Sequence, residues 1–275
     1  MTDTPDYSAW IGRSETAAAD LITPRLINSF GATLAPHLAP DAVAPGLHWC
    51  LSPSLAPASG LGDDGHPLKG GFLPPIPLPR RMWAGGEVHT LAALQPGDSV
   101  TKCSTIRDIA WKTGRSGALC FVTVEHVFST QRGDALRELH NIVYRPAATQ
   151  PALPAAPGLA PKFDLEWQVP IDPVLLFRYS ALTFNGHRIH YDEPYARGVE
   201  FYPGLVIHGP LQATLMLNLA ASFAKATPRQ FRFRGVAPAT GAQTLRVGLR
   251  QVQDKAEISV LSEAGALTMQ ASAEW

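Results

Sequence analysis

Residues 183–192 read Thr-Phe-Asn-Gly-His-Arg-Ile-His-Tyr-Asp, placing an amide and two imidazoles within six residues and a carboxylate just beyond. Asn185, His187 and His190 are side chains that can hold a water and move its proton. Eighteen residues after His190, His208-Gly209 opens a long apolar run. If that run is a helix, its first N–H groups are unpaired and carry the positive end of the helix dipole. A base beside such donors suits proton chemistry alpha to a carbonyl, with a backbone N–H stabilising the enolate oxygen. A histidine pair near a helix end is more often structural than catalytic, so the surroundings must decide. His187 and His190, three apart, could suggest zinc, but no third ligand stands at a sensible spacing, and the expectation is no metal.

Three helical segments would position these groups. Thr23–Ala35 offers Thr23 as N-cap and Pro24 at the first helical position, and Asp172–Asn185 repeats the arrangement with Asp172 and Pro173. The third, His208–Ala226, is apolar on nearly every face, which predicts a buried helix. Each half of the chain ends in period-two runs rich in Val, Ile, Thr and Phe between Gly/Asp turns, the pattern of an antiparallel meander. A buried helix followed by a meander predicts a sheet wrapped round a helix, an α+β hotdog. The first half lacks an equivalent helix and runs Gly-Gly-Phe-Leu-Pro-Pro-Ile-Pro-Leu-Pro-Arg-Arg-Met-Trp there. It reads as a degenerate repeat that keeps the sheet, making the whole a double hotdog. The expected boundaries are 1–145 for that repeat, a Pro-rich connector at 146–162, and 163–275 for the repeat bearing the motif.

Bulk properties narrow the function classes. Lys plus Arg and Asp plus Glu both number 23, so no global field draws nucleic acid or an anionic membrane. Cys50, Cys103 and Cys120 stand far apart, giving no disulfide or metal framework and fitting a reducing compartment. The opening residues lack a basic and apolar leader, and no apolar run reaches membrane-spanning length; the chain reads as cytoplasmic.

The stretches Phe177–Asp192 and Tyr202–Leu211 together resemble the MaoC-like hotdog enoyl-thioester hydratases and dehydratases. On that register His190 matches the family's catalytic histidine and Gly209 the glycine whose N–H forms the oxyanion hole. Asn185 falls on the family's aspartate and His187 on its asparagine, a departure shared with the type 2 hydroxyacyl-thioester dehydratase branch. An amide cannot act as a base, so the resemblance implies that Asn185 orients the water and His190 carries the proton. Asp63–His89 and Lys112–His126 are similar to the mesaconyl-C4-CoA (3-methylfumaryl-CoA) hydratases of that branch, and the similarity spans nearly the whole chain. The implied reaction is reversible hydration of an α,β-unsaturated acyl-CoA, giving citramalyl-CoA from that substrate. Itaconyl-CoA hydration, a 3-hydroxyacyl-thioester dehydratase of fatty-acid synthesis and a non-catalytic thioester-binding hotdog are the alternatives.

The resemblance implies no cofactor other than the CoA of the substrate, and the sequence leaves open a homodimer. A substrate ending in a carboxylate calls for a cation, and Arg80 and Arg81 beside Trp83 are candidates, since an arginine fork fits a carboxylate. Arg188 within the motif, His187 and His208 complete the expected substrate-binding set, with Arg178 as a further option. The turn at Lys112–Gly117 reads as a hairpin loop rather than a phosphate-binding one.

Overall fold

The computed structural model describes residues 5–114, 117–150, 156–158 and 161–275. The first half begins with the short strands β1 (Ser14–Thr16) and β2 (Asp20–Leu21) and helix α1 (Pro24–Leu34). After a long crossover come β3 (Arg80–Thr90), β4 (Ser99–Gly114), β5 (Gly117–Thr130) and β6 (Gly133–Arg145). The second half runs β7 (Leu165–Ile171), α2 (Pro173–Thr183), α3 (Glu193–Gly198), α4 (Gly209–Ala224), β8 (Gln230–Gly235), β9 (Gln243–Val252), β10 (Lys255–Leu261) and β11 (Leu267–Glu274). Parts of the Pro-rich connector, 151–155 and 159–160, lie outside the described residues.

All neighbouring strands are antiparallel, and the main path of the sheet runs β1-β4-β5-β6-β3-β8-β11-β10-β9-β7, with β2 also on β4. The order in one half mirrors that in the other. β2 lies on β4 as β7 lies on β9, and β3 closes its half against β6 as β8 closes against β11. The halves join where β3 meets β8, from Gly85 opposite Arg234 to His89 opposite Gln230. This is a double hotdog.

The helix starts follow the residue chemistry. Thr23 Oγ1 accepts from the Leu26 N–H at 3.1 Å, and Asp172 Oδ1 from the Leu175 N–H at 2.7 Å, each followed by proline at the first helical position. Helix α4 is buried from Leu211 to Ala221. Its apolar side chains belong to one core cluster with Leu245, Val247, Ile258 and Val260 from the second-half strands and Val88, Val100 and Phe128 from the first. Each such side chain contributes roughly 1.5–3 kcal/mol by leaving water. Asn218, one of three buried polar residues there with Gln212 and Thr214, ties the helix to the first-half crossover: its Nδ2 donates to the Pro45 carbonyl at 2.7 Å and its Oδ1 accepts from the Ala39 N–H at 3.0 Å. That crossover, residues 35–79, contains no α-helix, only single turns at Leu47–Cys50 and Ala58–Gly60. Among the described residues no helix is long and apolar enough to cross a membrane.

Candidate active site

The motif loop is shaped by the end of α2. Phe184 caps the helix with φ +50°, a left-handed conformation that a bulky residue rarely adopts, and is 60% exposed. The turn is closed by the Asn185 N–H donating to the Ser180 carbonyl at 2.8 Å. Asn185 Oδ1 then accepts from the His187 N–H at 3.0 Å, so the amide that lines the cavity also organises the loop.

His190 is 7% exposed, and its Nδ1 lies 2.7 Å from the Val206 carbonyl. A carbonyl only accepts, so Nδ1 carries the proton and Nε2 keeps a lone pair. Burial pulls the imidazole down to about 4, against the Val206 hydrogen bond that favours its charged form. At neutral pH His190 is therefore an uncharged base in a fixed tautomer. Its ring stacks on His208, centroids 3.7 Å apart and planes at 17°. Fully buried His208 is held by Ser180, whose Oγ lies 2.8 Å from Nε2. His187 presents its ring at 87° to His190, 5.4 Å away, and burial lowers its affinity for a proton too.

Gly209 is the first residue of α4, so its N–H belongs to the donors without an intrahelical partner. A Cβ there would sit 2.9 Å from Trp83 Cε3, so only glycine lets the Trp83 ring approach the helix start this closely. Asn185, the imidazole layer behind it and this amide thus converge from three consecutive stretches of chain.

Asn185 faces a cavity of about 1330 Å³ built by both halves, and His190 and Gly209 lie just behind its wall. The second half contributes Ser180, Asn185, Gly186 and Pro210, and the first His66, Trp83, Arg81 and the inward faces of β4–β6. The loop carrying His66 is locked to the motif. A Cβ on Gly65 would fall 1.9 Å from the Gly186 carbonyl oxygen, and the Arg188 N–H donates to the Asp64 carbonyl at 2.9 Å.

Of the three residues of β3 singled out from the sequence, Arg81 and Trp83 line the cavity and Arg80 does not. Residues adjacent on a strand point to opposite faces. Arg80 is turned away, its Nε 2.5 Å from Glu200 Oε2 and its Nη2 donating to Tyr202 Oη at 2.8 Å. Arg188 is likewise committed: it pairs with Asp192 at 2.7 Å and donates to the Asp63 carbonyl, bracing the loop. Arg178 is exposed and reaches the Ala32 carbonyl. His187 and His208 are buried around His190 rather than on the cavity wall. In the Lys112–Gly117 turn, Arg115 and Ser116 lie outside the described residues.

Two groups of residues were not found from sequence. Asp64 and His66 arrive from the crossover: His66 Nδ1 is 2.9 Å from Asp64 Oδ2, and its ring lies 4.2 Å from that of His187. Together with His187 they form a trio whose ligand atoms all lie within 4.8 Å, and His190, the other histidine of the motif pair, is not part of it. One pair of those atoms is already engaged in the Asp64–His66 hydrogen bond. The second group is a belt on the inner face of the first-half sheet: Lys102, Ser104, His126, Glu138 and His140.

Residues 46–241 match the model of the hydroxyacyl-thioester dehydratase type 2 family. The chain is 41% identical to the mesaconyl-C(4)-CoA hydratase of Chloroflexus aurantiacus over 98% of both chains. It is 27% identical to the mitochondrial hydroxyacyl-thioester dehydratase type 2 of Schizosaccharomyces pombe, over 83% of this chain and 87% of that one. Among solved structures, HtdX of Mycobacterium tuberculosis superposes with a TM-score of 0.66 at 14% identity, over 95% of this chain and 99% of that one, a likeness of fold.

Proposed function

Because the chain belongs to the type 2 hydroxyacyl-thioester dehydratase family, we propose that it adds water reversibly across the double bond of an enoyl-CoA. The substrate best supported is mesaconyl-C4-CoA, after the Chloroflexus relative, with citramalyl-CoA as product. The observation that carries the chemistry is His190, buried, neutral and with Nδ1 spent on Val206, so that Nε2 alone is left to take a proton.

Asn185 holds the water at the cavity wall. His190 Nε2 takes one proton as the water oxygen bonds to the β carbon, and the π electrons move to the thioester oxygen as an enolate. The Gly209 N–H and the N-terminal dipole of α4 stabilise that oxygen. The His190 imidazolium, unfavourable in its buried setting, then returns the proton to the α carbon, and the thioester is restored. His208 stacks behind His190 and, anchored by Ser180, fixes the plane of its ring. No step calls on a redox cofactor; CoA enters as part of the substrate. We further infer that residues 1–145 are a repeat that kept its sheet and lost its central helix, with 163–275 as the repeat bearing the catalytic loop.

The test follows loss of enoyl-thioester absorbance with mesaconyl-C4-CoA and, separately, with crotonyl-CoA, for wild type and His190→Ala. Turnover of the dicarboxylic substrate reduced by about 10²- to 10⁴-fold in the variant is expected. Undiminished turnover in the variant would remove His190 from the chemistry. Turnover of crotonyl-CoA alone would move the assignment to a dehydratase of unsubstituted acyl chains.

A further inference from the structure

The inner face of the first-half sheet is interrupted by polar groups. Along β4 it reads Val100, Lys102, Ser104, Ile106, along β5 Val124, His126, Phe128, and along β6 Leu136, Glu138, His140, Ile142. The apolar members fall into two separate clusters, one with Val100, Phe128 and Leu136 and the other with Ile106, Val124 and Ile142. The polar members lie between them and face the cavity. Placing polar groups inside an apolar surface is unfavourable unless they are bonded or await a ligand.

We propose that Lys102, Ser104, His126 and His140, with Arg81 at the edge, form the binding site for a carboxylate on the acyl chain of the thioester. The inference rests on the hydratase reading of this cavity and assigns its specificity. Ser104 Oγ is 2.8 Å from His126 Nδ1, and His126 Nε2 is 3.3 Å from His140 Nδ1. A hydroxyl donating into this relay leaves His140 Nε2 as an N–H donor, and an anion there selects that orientation. Lys102 uses two carbonyls, donating to Ser52 at 2.5 Å and Leu51 at 3.5 Å, which leaves the third hydrogen of its ammonium group. His48 Nε2, 3% exposed in the same wall, has no hydrogen-bond partner among the described residues.

Charge balance points the same way. The carboxyl facing Lys102 most closely in the belt is Glu138, which burial pushes up to about 7 while the Trp49 N–H donates to it at 3.0 Å. The imidazoles of His48, His126 and His140 are held neutral by burial. Lys102 also feels the carboxylates of Glu15 and Asp20 outside the belt, so within the belt itself Glu138 is the one acidic group set against Lys102 and Arg81.

The position fits an acyl carboxylate and not the CoA phosphates. Trp83 packs on Gly209, and the His140 ring lies 5.8 Å from the Trp83 ring. The belt thus begins one aromatic ring from the oxyanion amide, whereas the phosphates stand at the far end of the pantetheine arm. In a 3-methylfumaryl thioester the free carboxylate sits on the β carbon, close to the reacting double bond.

The test uses saturated thioesters, which bind but cannot be hydrated. Dissociation constants for succinyl-CoA and butyryl-CoA are measured by calorimetric titration for wild type, Lys102→Met and His140→Leu, with thermal unfolding reporting on the fold. Wild type is expected to prefer succinyl-CoA by about tenfold or more, and each folded variant to lose most of that preference, as for loss of a charge-assisted hydrogen bond. A preference equal in wild type and variants, whether affinities hold or fall together, would overturn the assignment; so would no preference in wild type. His140 is half-buried, so His140→Leu carries the test if Lys102→Met does not fold. Mesaconyl-C4-CoA turnover on the same wild-type protein separates the two readings. No turnover with an intact, variant-sensitive succinyl preference would remove the hydratase reading and leave the carboxylate site.

Discussion

The two halves carry the same strand order yet line their concave faces with opposite chemistry. In the second half, Leu245, Val247 and Leu249 of β9 and Ala256, Ile258 and Val260 of β10 are all essentially buried, and α4 fills the space they enclose. In the first half the corresponding strands β4–β6 carry Lys102, Ser104, His126, Glu138 and His140. Against these strands lies a single turn, Leu47–Cys50, whose Trp49 bonds Glu138 and whose His48 packs on Phe128. The comparison teaches that one strand order can enclose either a helix or a cavity. With no α-helix in the crossover to cover β4–β6, their inward positions are open to polar groups. The second half holds the packed helix and the motif loop, and the first half holds the polar belt of the cavity wall.

If the second half is the filled core, truncating α4 should be costly. Leu215, 1% exposed at the centre of the helix, changed to alanine is expected to lose about 2–5 kcal/mol in denaturant unfolding. A loss below about 1 kcal/mol would mean that the surrounding strands close in, and that the two halves differ less in packing than their sequences suggest.

The first half should betray its polar belt through pH. Glu138 sits at about 7 when folded against an ordinary value of 4.5. It therefore keeps its proton in the folded state while the unfolded chain has released it. Its contribution is favourable below the ordinary value, declines as pH rises from about 4.5 to 7, and is constant above that. His48 and His140 (each about 3) and His190 (about 4) are depressed and act in the opposite sense, adding stability as pH rises towards the ordinary histidine value of 6.5. Lys102 and His126 flank the same carboxyl, so the readout is a difference. The stability of wild type minus that of Glu138→Gln should fall by on the order of 3 kcal/mol between pH 4.5 and 7. A flat difference would mean that Lys102 keeps Glu138 ionised and cancels the positive charge assigned to the belt.

How much of this was legible in the sequence depended on whether the signal was local. Caps at Thr23 and Asp172, the apolar circumference of α4 and the strand alternation all act within one turn or one strand, and each is found where its residues direct. Asn185, His187 and His190 were visible together because they occupy six residues, and Gly209 because it opens the apolar run of α4. Arg80 and Arg81 were read as a pair because they are adjacent, although alternation allows only one of them to face the cavity. Asp64 and His66 reach the motif from the other half, and nothing in the spacing of 185–190 announces them. The belt left a trace that could have been used: Lys102, Ser104, His126, Glu138 and His140 all fall on the face that otherwise reads Val, Ile, Phe and Leu. A polar residue in phase with an apolar strand face marks either an internal pair or a ligand site.

The helices α1 and α2 offer the finest comparison, because they are near copies with different duties. Both have eleven residues, a side-chain cap and proline at the first position. Thr23→Ala and Asp172→Ala should each cost about 1 kcal/mol, with Asp172 the larger because its carboxylate also meets the positive helix end. Their functional effects should diverge. Helix α2 runs into Phe184 and Asn185, and it carries Ser180, which anchors His208 beneath the base. Helix α1 leads only into the crossover. Asp172→Ala is therefore expected to lower kcat with the enoyl-CoA substrate, while Thr23→Ala lowers stability alone, as read from kcat beside the unfolding midpoint. Equal effects on kcat would mean that the ends of both helices govern the site, and that the division of labour between the halves is less complete than their linings imply.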